Sequence, residues 1–410
     1  MRVILHSDLN NFYASCEQVF NPSLKDKVFC VSGSVKDRHG IVLAKNENAK
    51  KLGIKTGMTL NEARNLCPEV IMLEADFDKY LDFSEKVRKI YLGYTDLVEP
   101  FGIDEAWLDV TNSKIFGTGP QIADEIRKKV RDLKLTASVG VSFNKIFAKL
   151  GSDLKKPDAT TVIGEDDYKR IVWKLPCSDL LMVGKKTAVK LAKFNINTIG
   201  DLANTDVNFL SSAFGKSGET LHSFANGGDL SPVRKYEEPD EVKSVGNSMT
   251  CYRDLTNAED VHIMLSVLSD SVSSRIIRKN LGPAKTVTLT VRDENLNFFT
   301  RQAKLAVPSC FADDILKSAM KLFAENYDFK LGVRSLGVSV SDFSSGDTQI
   351  SVFDDPSGYE KKLSLAKAVG AIRDKYGSSS VKTAITLKDK RISREDPKEK
   401  HNVHPDAYKR

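Results

Sequence analysis

The stretch FGIDEAWLDVT, residues 101–111, sets an adjacent acid pair, Asp104 and Glu105, between a turn signal and an apolar run. Pro100 and Gly102 interrupt two apolar stretches across residues 97–110, which predicts a turn or hairpin with the acids beside it. Neighbouring side chains of a regular strand point to opposite faces, so both acids reach one site only at a turn or bulge. The chain opens on a related element: MRVILHSD predicts a short strand over residues 3–7 that ends at Asp8, followed by a helix with apolar positions Phe12, Cys16, Val19 and Phe20. With these two strands adjacent, three carboxylates converge on one sheet edge, the hard-oxygen set that two divalent cations need for phosphoryl transfer. Paired surface acids are commoner than catalytic ones, so the set needs company before it carries a function.

Working outward, small strands are predicted at 28–31 and 40–43 and short helices at 47–51 and 60–66, forming a compact inserted module that ends near residue 75. A helix at 80–94, the acid-bearing hairpin, a helix at 120–133 and a strand at 137–141 complete a ferredoxin-like sheet, expected to carry its helices on one face. Residues 168–229 read as helical and rich in glycine turns. KYEEPDEV, beside two prolines, reads as an exposed linker. Strand 243–249, helix 258–279, strands 286–292 and 298–305, helix 311–325 and strand 335–340 then repeat the order βαββαβ in a separate domain. TVTLTVR, residues 286–292, alternates strictly, burying Val287, Leu289 and Val291 on one face. Beyond residue 344 come QISVF, an amphipathic helix near 361–375 and a charged tail expected to be disordered.

Composition limits the alternatives without choosing among them. A chain of 410 residues, 41% hydrophobic and 28% charged, supports several folded domains, and a net charge of +6 suits a polyanionic partner as well as many metabolic enzymes. Six dispersed cysteines with no C-x-x-C pair argue against a zinc site or a disulfide framework and place the chain in a reducing cytoplasm. The apolar N-terminal run is too short for a signal peptide and no stretch is long enough to span a bilayer, so neither export nor membrane insertion is expected.

Four motifs in order supply the missing company: DLNNFYASCE (8–17), AKNENAKKLGI (44–54), FGIDEAWLDVT (101–111) and SVGVSFNKIFAKLGSDLKKP (138–157). Together they resemble the Y-family DNA polymerases, most closely the bacterial DNA polymerase IV group, over residues 1 to about 345. The resemblance implies an α+β multidomain protein: a palm (1–18 and 76–166), fingers (19–75), a helix-hairpin-helix-like thumb (167–231), a linker (232–241), a DNA-binding little finger (242–343) and a C-terminal extension (344–410). It implies a low-fidelity, lesion-bypassing DNA polymerase without proofreading, a monomer working on primer-template DNA and dNTPs in the bacterial cytoplasm at the nucleoid. Asp8, Asp104, Glu105 and the carbonyl of Leu9 would hold two Mg2+ ions, with Mn2+ a substitute. Tyr13 would be the steric gate that rejects a 2′-hydroxyl. Main-chain N–H groups of Asn11, Phe12 and Tyr13, together with Lys45, Lys50 and Lys156, would take the triphosphate. DNA contacts would come from Gly184, Lys185 and Lys186 in the thumb and from Lys243, Arg278, Arg292 and Arg301 beyond it. Gln349, Val352 and Phe353 of QISVF resemble the peptide that docks on a sliding clamp.

Several positions depart from the family pattern. Asn10 stands where an acid is frequent, Glu47 replaces a frequent tyrosine, Lys50 a frequent arginine, Met182 a thumb glycine, and Gly102 and Trp107 a serine and a tyrosine. A nucleotidyl cyclase would leave the N-K and K-K-P motifs, the thumb and the second βαββαβ domain unexplained, and intact Asp8, Asp104 and Glu105 argue against a DNA-binding scaffold with a dead palm; within the family the alternative is a partner-dependent subunit resembling the catalytic part of DNA polymerase V.

Overall fold

The computed structural model describes residues 2–33, 40–238, 241–344, 356–377 and 380–394. They divide between two compact units, one ending at residue 238 and the other beginning at 241.

In chain order the first unit contains β1 (Ile4–Leu9), α1 (Phe12–Phe20), β2 (Phe29–Ser32), β3 (Val42–Lys45), α2 (Glu47–Lys51), α3 (Leu60–Leu66), β4 (Ile71–Glu74), α4 (Phe77–Leu92), β5 (Val98–Pro100), β6 (Glu105–Asp109), α5 (Gly119–Asp132), β7 (Ala137–Ser142), α6 (Lys145–Leu154) and β8 (Thr160–Ile163). Helices α7 (Tyr168–Val172), α8 (Lys185–Ala192), α9 (Ile199–Asn204), α10 (Val207–Phe214) and α11 (Lys216–Ala225) follow. The main sheet has the order β5-β6-β1-β7-β8, so the strand bearing Asp8 is central and flanked by the acid-bearing β6 and by β7. Every residue of β1 is buried, because the strand is covered on both faces.

One face carries the core built from Leu5, Leu9, Leu108, Val139 and Val141 with Tyr80, Val87 and Tyr91 of α4 and Ile122, Ile126 and Val130 of α5. The other face is covered by α6, which corrects the expectation of helices on one face only. That second layer depends on two glycines. A Cβ on Gly140 of β7 would stand 1.9 Å from the Ala148 carbonyl oxygen, and one on Gly151 3.2 Å from Gly140 Cα, so helix and strand backbones meet directly. The sheet also extends to β8, parallel to β7, which the strand prediction omitted.

Residues between α1 and α4 form the predicted inserted module, a three-stranded sheet β3-β2-β4 with its own small core of Cys30, Val42, Ala49, Ile54, Ala63 and Val70. The helices after β8 share a third core with Ile146, Phe147 and Leu150 of α6. The supposed linker is not free chain over its described part: Val233 is buried, Arg234 N–H donates to Glu99, and Tyr236 hydroxyl donates to Glu85.

The second unit comprises β9 (Ser244–Leu255), α12 (Ala258–Arg278), β10 (Ala284–Asp293), β11 (Phe298–Ser309), α13 (Ala312–Asn326), β12 (Val333–Phe343) and α14 (Pro356–Tyr376). Its sheet runs β11-β10-β12-β9, all antiparallel, with α12 and α13 packed on one face. The expected βαββαβ order is present, with strands longer than pattern alone suggested. The C-terminal segment contributes more than a polar extension: Ile392 is fully buried and Thr386 nearly so, both in short 3₁₀ turns packed on α12. The clamp-like QISVF peptide and the charged tail beyond 394 lie outside the described residues.

Candidate active site

Register sets two of the predicted acids side by side, with the third next to them in sequence, and does not close all three into one cluster. Asp8 of β1 is the cross-strand partner of Glu105 of β6, and the Leu9 N–H donates to the Asp104 carbonyl at 3.0 Å. Asp104 occupies the last position before β6, where Gly102, with φ of 123°, turns the chain. Both acids therefore stand at the strand end rather than within it, as the turn signal requires.

The site is electrostatically crowded. Burial and the neighbouring Glu105 carboxylate push Asp8 up to about 7, against the pull of Lys156. Burial and Glu105 also raise Asp104 to about 6. Burial opposes ionisation of Glu105 as well, yet His6 and Lys149 outweigh it and hold this carboxyl near its charged form, at about 2. Two ammonium groups stand on the acids: Lys156 Nζ is 2.6 Å from Asp8 Oδ2 and 2.8 Å from Asp153 Oδ1, and Lys149 Nζ is 2.5 Å from Glu105 Oε2. Among the described residues no three acid, histidine or cysteine side chains are drawn together as a ligand cluster. The donor chemistry nevertheless suits a hard divalent cation: the oxygens are hard, and two carboxylates are held above their ordinary range by burial and mutual repulsion, which a bound cation would relieve.

His6 and Lys149 were missing from the predicted set. His6, two residues before Asp8 and on the same face of β1, is fully buried, with Nδ1 2.9 Å from Ser152 Oγ and Nε2 3.3 Å from Glu105 Oε2. Burial lowers its pKa to about 4 and keeps the ring neutral. The period-2 spacing from Asp8 was the available signal; for Lys149, it was the spacing of four residues to Asp153 on a helix facing the sheet.

Tyr13 is half-buried on α1, its ring stacked on Tyr80 at 4.5 Å and met edge-on by Phe77 at 5.8 Å. The Tyr80 hydroxyl donates to Glu17 Oε1 at 2.7 Å, which fixes the stack from behind. Asn11 precedes α1 in a left-handed conformation (φ 47°), and its amide nitrogen donates to Glu47 Oε1 at 2.7 Å instead of capping its own helix. Asn10, at the position where an acid is frequent, accepts from Ser138 and donates to Thr136, so it braces β1 against β7. Lys45 donates to Thr56, and Lys50 lies 3.7 Å from Glu47.

The predicted DNA contacts separate into two groups. In the thumb, Gly184 N-caps α8, so Lys185 and Lys186 open the helix, and Met182 adopts the left-handed conformation (φ 73°) that a glycine would take without strain. In the second unit Lys243 is exposed just before β9, and Arg292 lies on the sheet face that no helix among the described residues covers. Arg301 pairs with Leu289, whose side chain is in the core, so it projects to the helix-covered side and donates to Asn326. Arg278 ends α12 and pairs with Asp374 of α14 at 2.6 Å. The two arginines thus lie away from the open face.

That open face is a lattice of small hydroxylated residues, of which strand alternation foresees only Thr286, Thr288 and Thr290 of β10. Cross-strand rows run Gly246, Ser339, Thr288, Gln302 and Ser248, Gly337, Thr290, Thr300, flanked by rows ending in Lys304 and Phe298.

Acids at the end of a ferredoxin-like sheet, lysines directed at them and an aromatic of the first helix stacked on α4 define a palm-type nucleotidyltransferase. Family profiles agree: impB/mucB/samB family over residues 7–153, its C-terminal domain over 242–352, and the thumb domain of DNA polymerase-iota over 178–229. DNA polymerase IV of Acetivibrio thermocellus is 49% identical over 397 residues, covering 96% of this chain and 99% of the relative. DNA polymerase IV 1 of Bacillus subtilis is 36% identical, covering 94% of each. Among solved structures, a chimera of the Y-family polymerases Dbh and Dpo4 matches with a TM-score of 0.73 at 26% identity, covering 84% of this chain and all of that one. An insertion ternary complex of Dbh DNA polymerase matches with a TM-score of 0.56 at 26% identity and the same coverage. The chain belongs to the impB/mucB/samB family of Y-family DNA polymerases, in its DNA polymerase IV branch.

Proposed function

We propose that this chain extends a DNA primer on damaged as well as intact templates, with Asp8, Asp104 and Glu105 at the reacting centre. The observation that carries this reading is the Asp8–Glu105 cross-strand pair with Asp104 beside it, in a site whose crowded acids are partly neutralised by lysines. When bound, two divalent cations, Mg2+ with Mn2+ as a substitute, would be held by these three side chains and the Leu9 carbonyl, and would lower the pKa of the primer 3′-hydroxyl and neutralise the triphosphate.

The chain's own residues supply the rest. Lys156 exchanges Asp8 for the triphosphate, and the N–H groups of Asn11, Phe12 and Tyr13 at the start of α1 receive its oxygens. Tyr13, held in place by Tyr80 and Phe77, lies under the sugar and excludes a 2′-hydroxyl. The inserted module of 19–75 acts as fingers too small to enclose the nascent pair tightly, so selection by shape is weak and distorted template bases are accepted. The thumb turn at Gly184 to Lys186 and the open sheet of the second unit bind the duplex backbone, with Lys243 and Arg292 adding charge. Gln349, Val352 and Phe353 dock on a sliding clamp. The protein works as a monomer in the bacterial cytoplasm at the nucleoid.

Primer extension by the purified chain with Mg2+ and dNTPs, on undamaged and abasic templates beside Asp104→Ala, tests the reading. Templated extension lost in the variant is expected, with synthesis past the abasic site. A wild-type chain inactive with and without clamp would overturn it in favour of a scaffold or a partner-dependent subunit.

A further inference from the structure

Glu47 is a carboxylate at the mouth of a site proposed to receive phosphates. It is the first residue of α2, whose N-cap Asn46 accepts from Ala49 N–H at 3.0 Å. From there its Oε1 accepts from Asn11 Nδ2 at 2.7 Å and stands 3.7 Å from Lys50 Nζ. Asn11 is the left-handed residue between Asp8–Leu9 and α1, and with no cap bond to its own helix its side chain is committed to Glu47. The bond therefore straps the fingers helix α2 to the start of the palm helix α1. Beside it lies a cleft of about 280 Å³ whose lining includes Asn10, Asn11, Ser15, Lys25, Asn46 and Glu47. Glu47 and Lys50 are 45% and 54% exposed in their side chains, so both are open to an entering solute.

We infer that Glu47 is a charge gate on nucleotide entry: its carboxylate neutralises Lys50, lends a negative charge to the start of α1, and weakens triphosphate binding until Lys50 changes partner. The inference rests on the nucleotide site proposed above and adds an affinity-determining residue to it. A triphosphate is repelled by the carboxylate and finds the neighbouring ammonium already engaged, whereas a neutral acceptor at the same position would leave both costs out. Because the group acts on binding and not on the reacting atoms, its removal shows in KM and not in kcat.

The test is steady-state single-nucleotide incorporation by the full chain and by E47Q at low and high salt. Glutamine keeps an oxygen for Asn11 and removes only the charge. Expected is a KM for dNTP about 3- to 10-fold lower in E47Q at low salt, with kcat within about twofold and the gap narrowing at high salt, as exposed charges are screened. A KM unchanged or raised in E47Q would overturn the gate and leave Glu47 as a brace between fingers and palm. Wild type is measured in the same assay, so absence of any templated extension would indict the polymerase reading instead.

Discussion

Asp104 carries a cost that the folded chain bears for the sake of its site. Burial and the Glu105 charge raise its carboxyl from 3.8 to about 6. A carboxyl with a raised folded pKa lends its full stability only below the unfolded value and loses it as the pH rises through the folded one. Asp104→Asn removes that loss. Without divalent cation at pH 8, the first unit, which holds Asp104, is expected to melt a few degrees higher in the variant than in wild type, the difference closing near pH 4, while templated extension disappears. Calorimetry across that range checks it, and a variant melting lower at pH 8 would contradict a crowded, ionised Asp104. Tyr13 gives a second test at this scale. Its ring is positioned by Tyr80 and Phe77, so Tyr13→Ala should raise ribonucleotide incorporation on the order of 100-fold, and half-buried Phe77→Ala, by loosening the stack, several-fold. Unaltered discrimination in Tyr13→Ala would remove the gate from this residue. These groups were legible because turn chemistry and motif spacing are local. The Asn11–Glu47 strap was not, since it joins residues 36 positions apart through a backbone conformation that asparagine adopts only in some turns.

At the scale of elements, strand alternation was readable and strand register was not. TVTLTVR revealed a threonine face, but only pairing with β11 and β12 sets Thr288 beside Gln302 and Ser339 and so builds a continuous hydroxyl surface. The same register turns Arg301 toward the helix-covered side, which a count of basic residues along the sequence could not detect. A surface of hydroxyls and glycines permits close approach of a phosphate backbone with few counterions released. Arg292→Ala should therefore lower the salt slope of primer-template binding by about 1, whereas Thr288→Val with Ser339→Ala should weaken binding about tenfold at every salt concentration. Anisotropy titrations over a salt series read both quantities. A large slope loss with the hydroxyl pair, or none with Arg292, would place the DNA elsewhere. Helix α6 was hidden for a different reason: its seat on the sheet depends on Gly140 and Gly151 meeting backbone to backbone, a contact between elements that neither local sequence declares.

For the whole molecule, two units with separate cores mean that stability is not a single quantity. The C-terminal segment belongs energetically to the second. Arg373 pairs with Asp270 at 2.7 Å and donates to the Val381 carbonyl, Asp389 accepts from the N–H groups of Arg391 and Ile392, and Ile392 closes the core over α12. Composition hid this, because one buried isoleucine among lysines and aspartates carries no periodic signal and is covered chiefly by a helix more than a hundred residues away. Truncating that side chain should be felt locally: Ile392→Ala opens a cavity costing about 2–5 kcal/mol. Hydrogen exchange is expected to speed up in α12 and across the β9–β12 sheet and to stay unchanged in β1, β6 and α6, with the rate of nucleotide insertion on saturating primer-template preserved. Unchanged protection in α12 would mean that the segment does not hold the second unit together, and faster exchange in β1 as well would mean that the two units unfold as one.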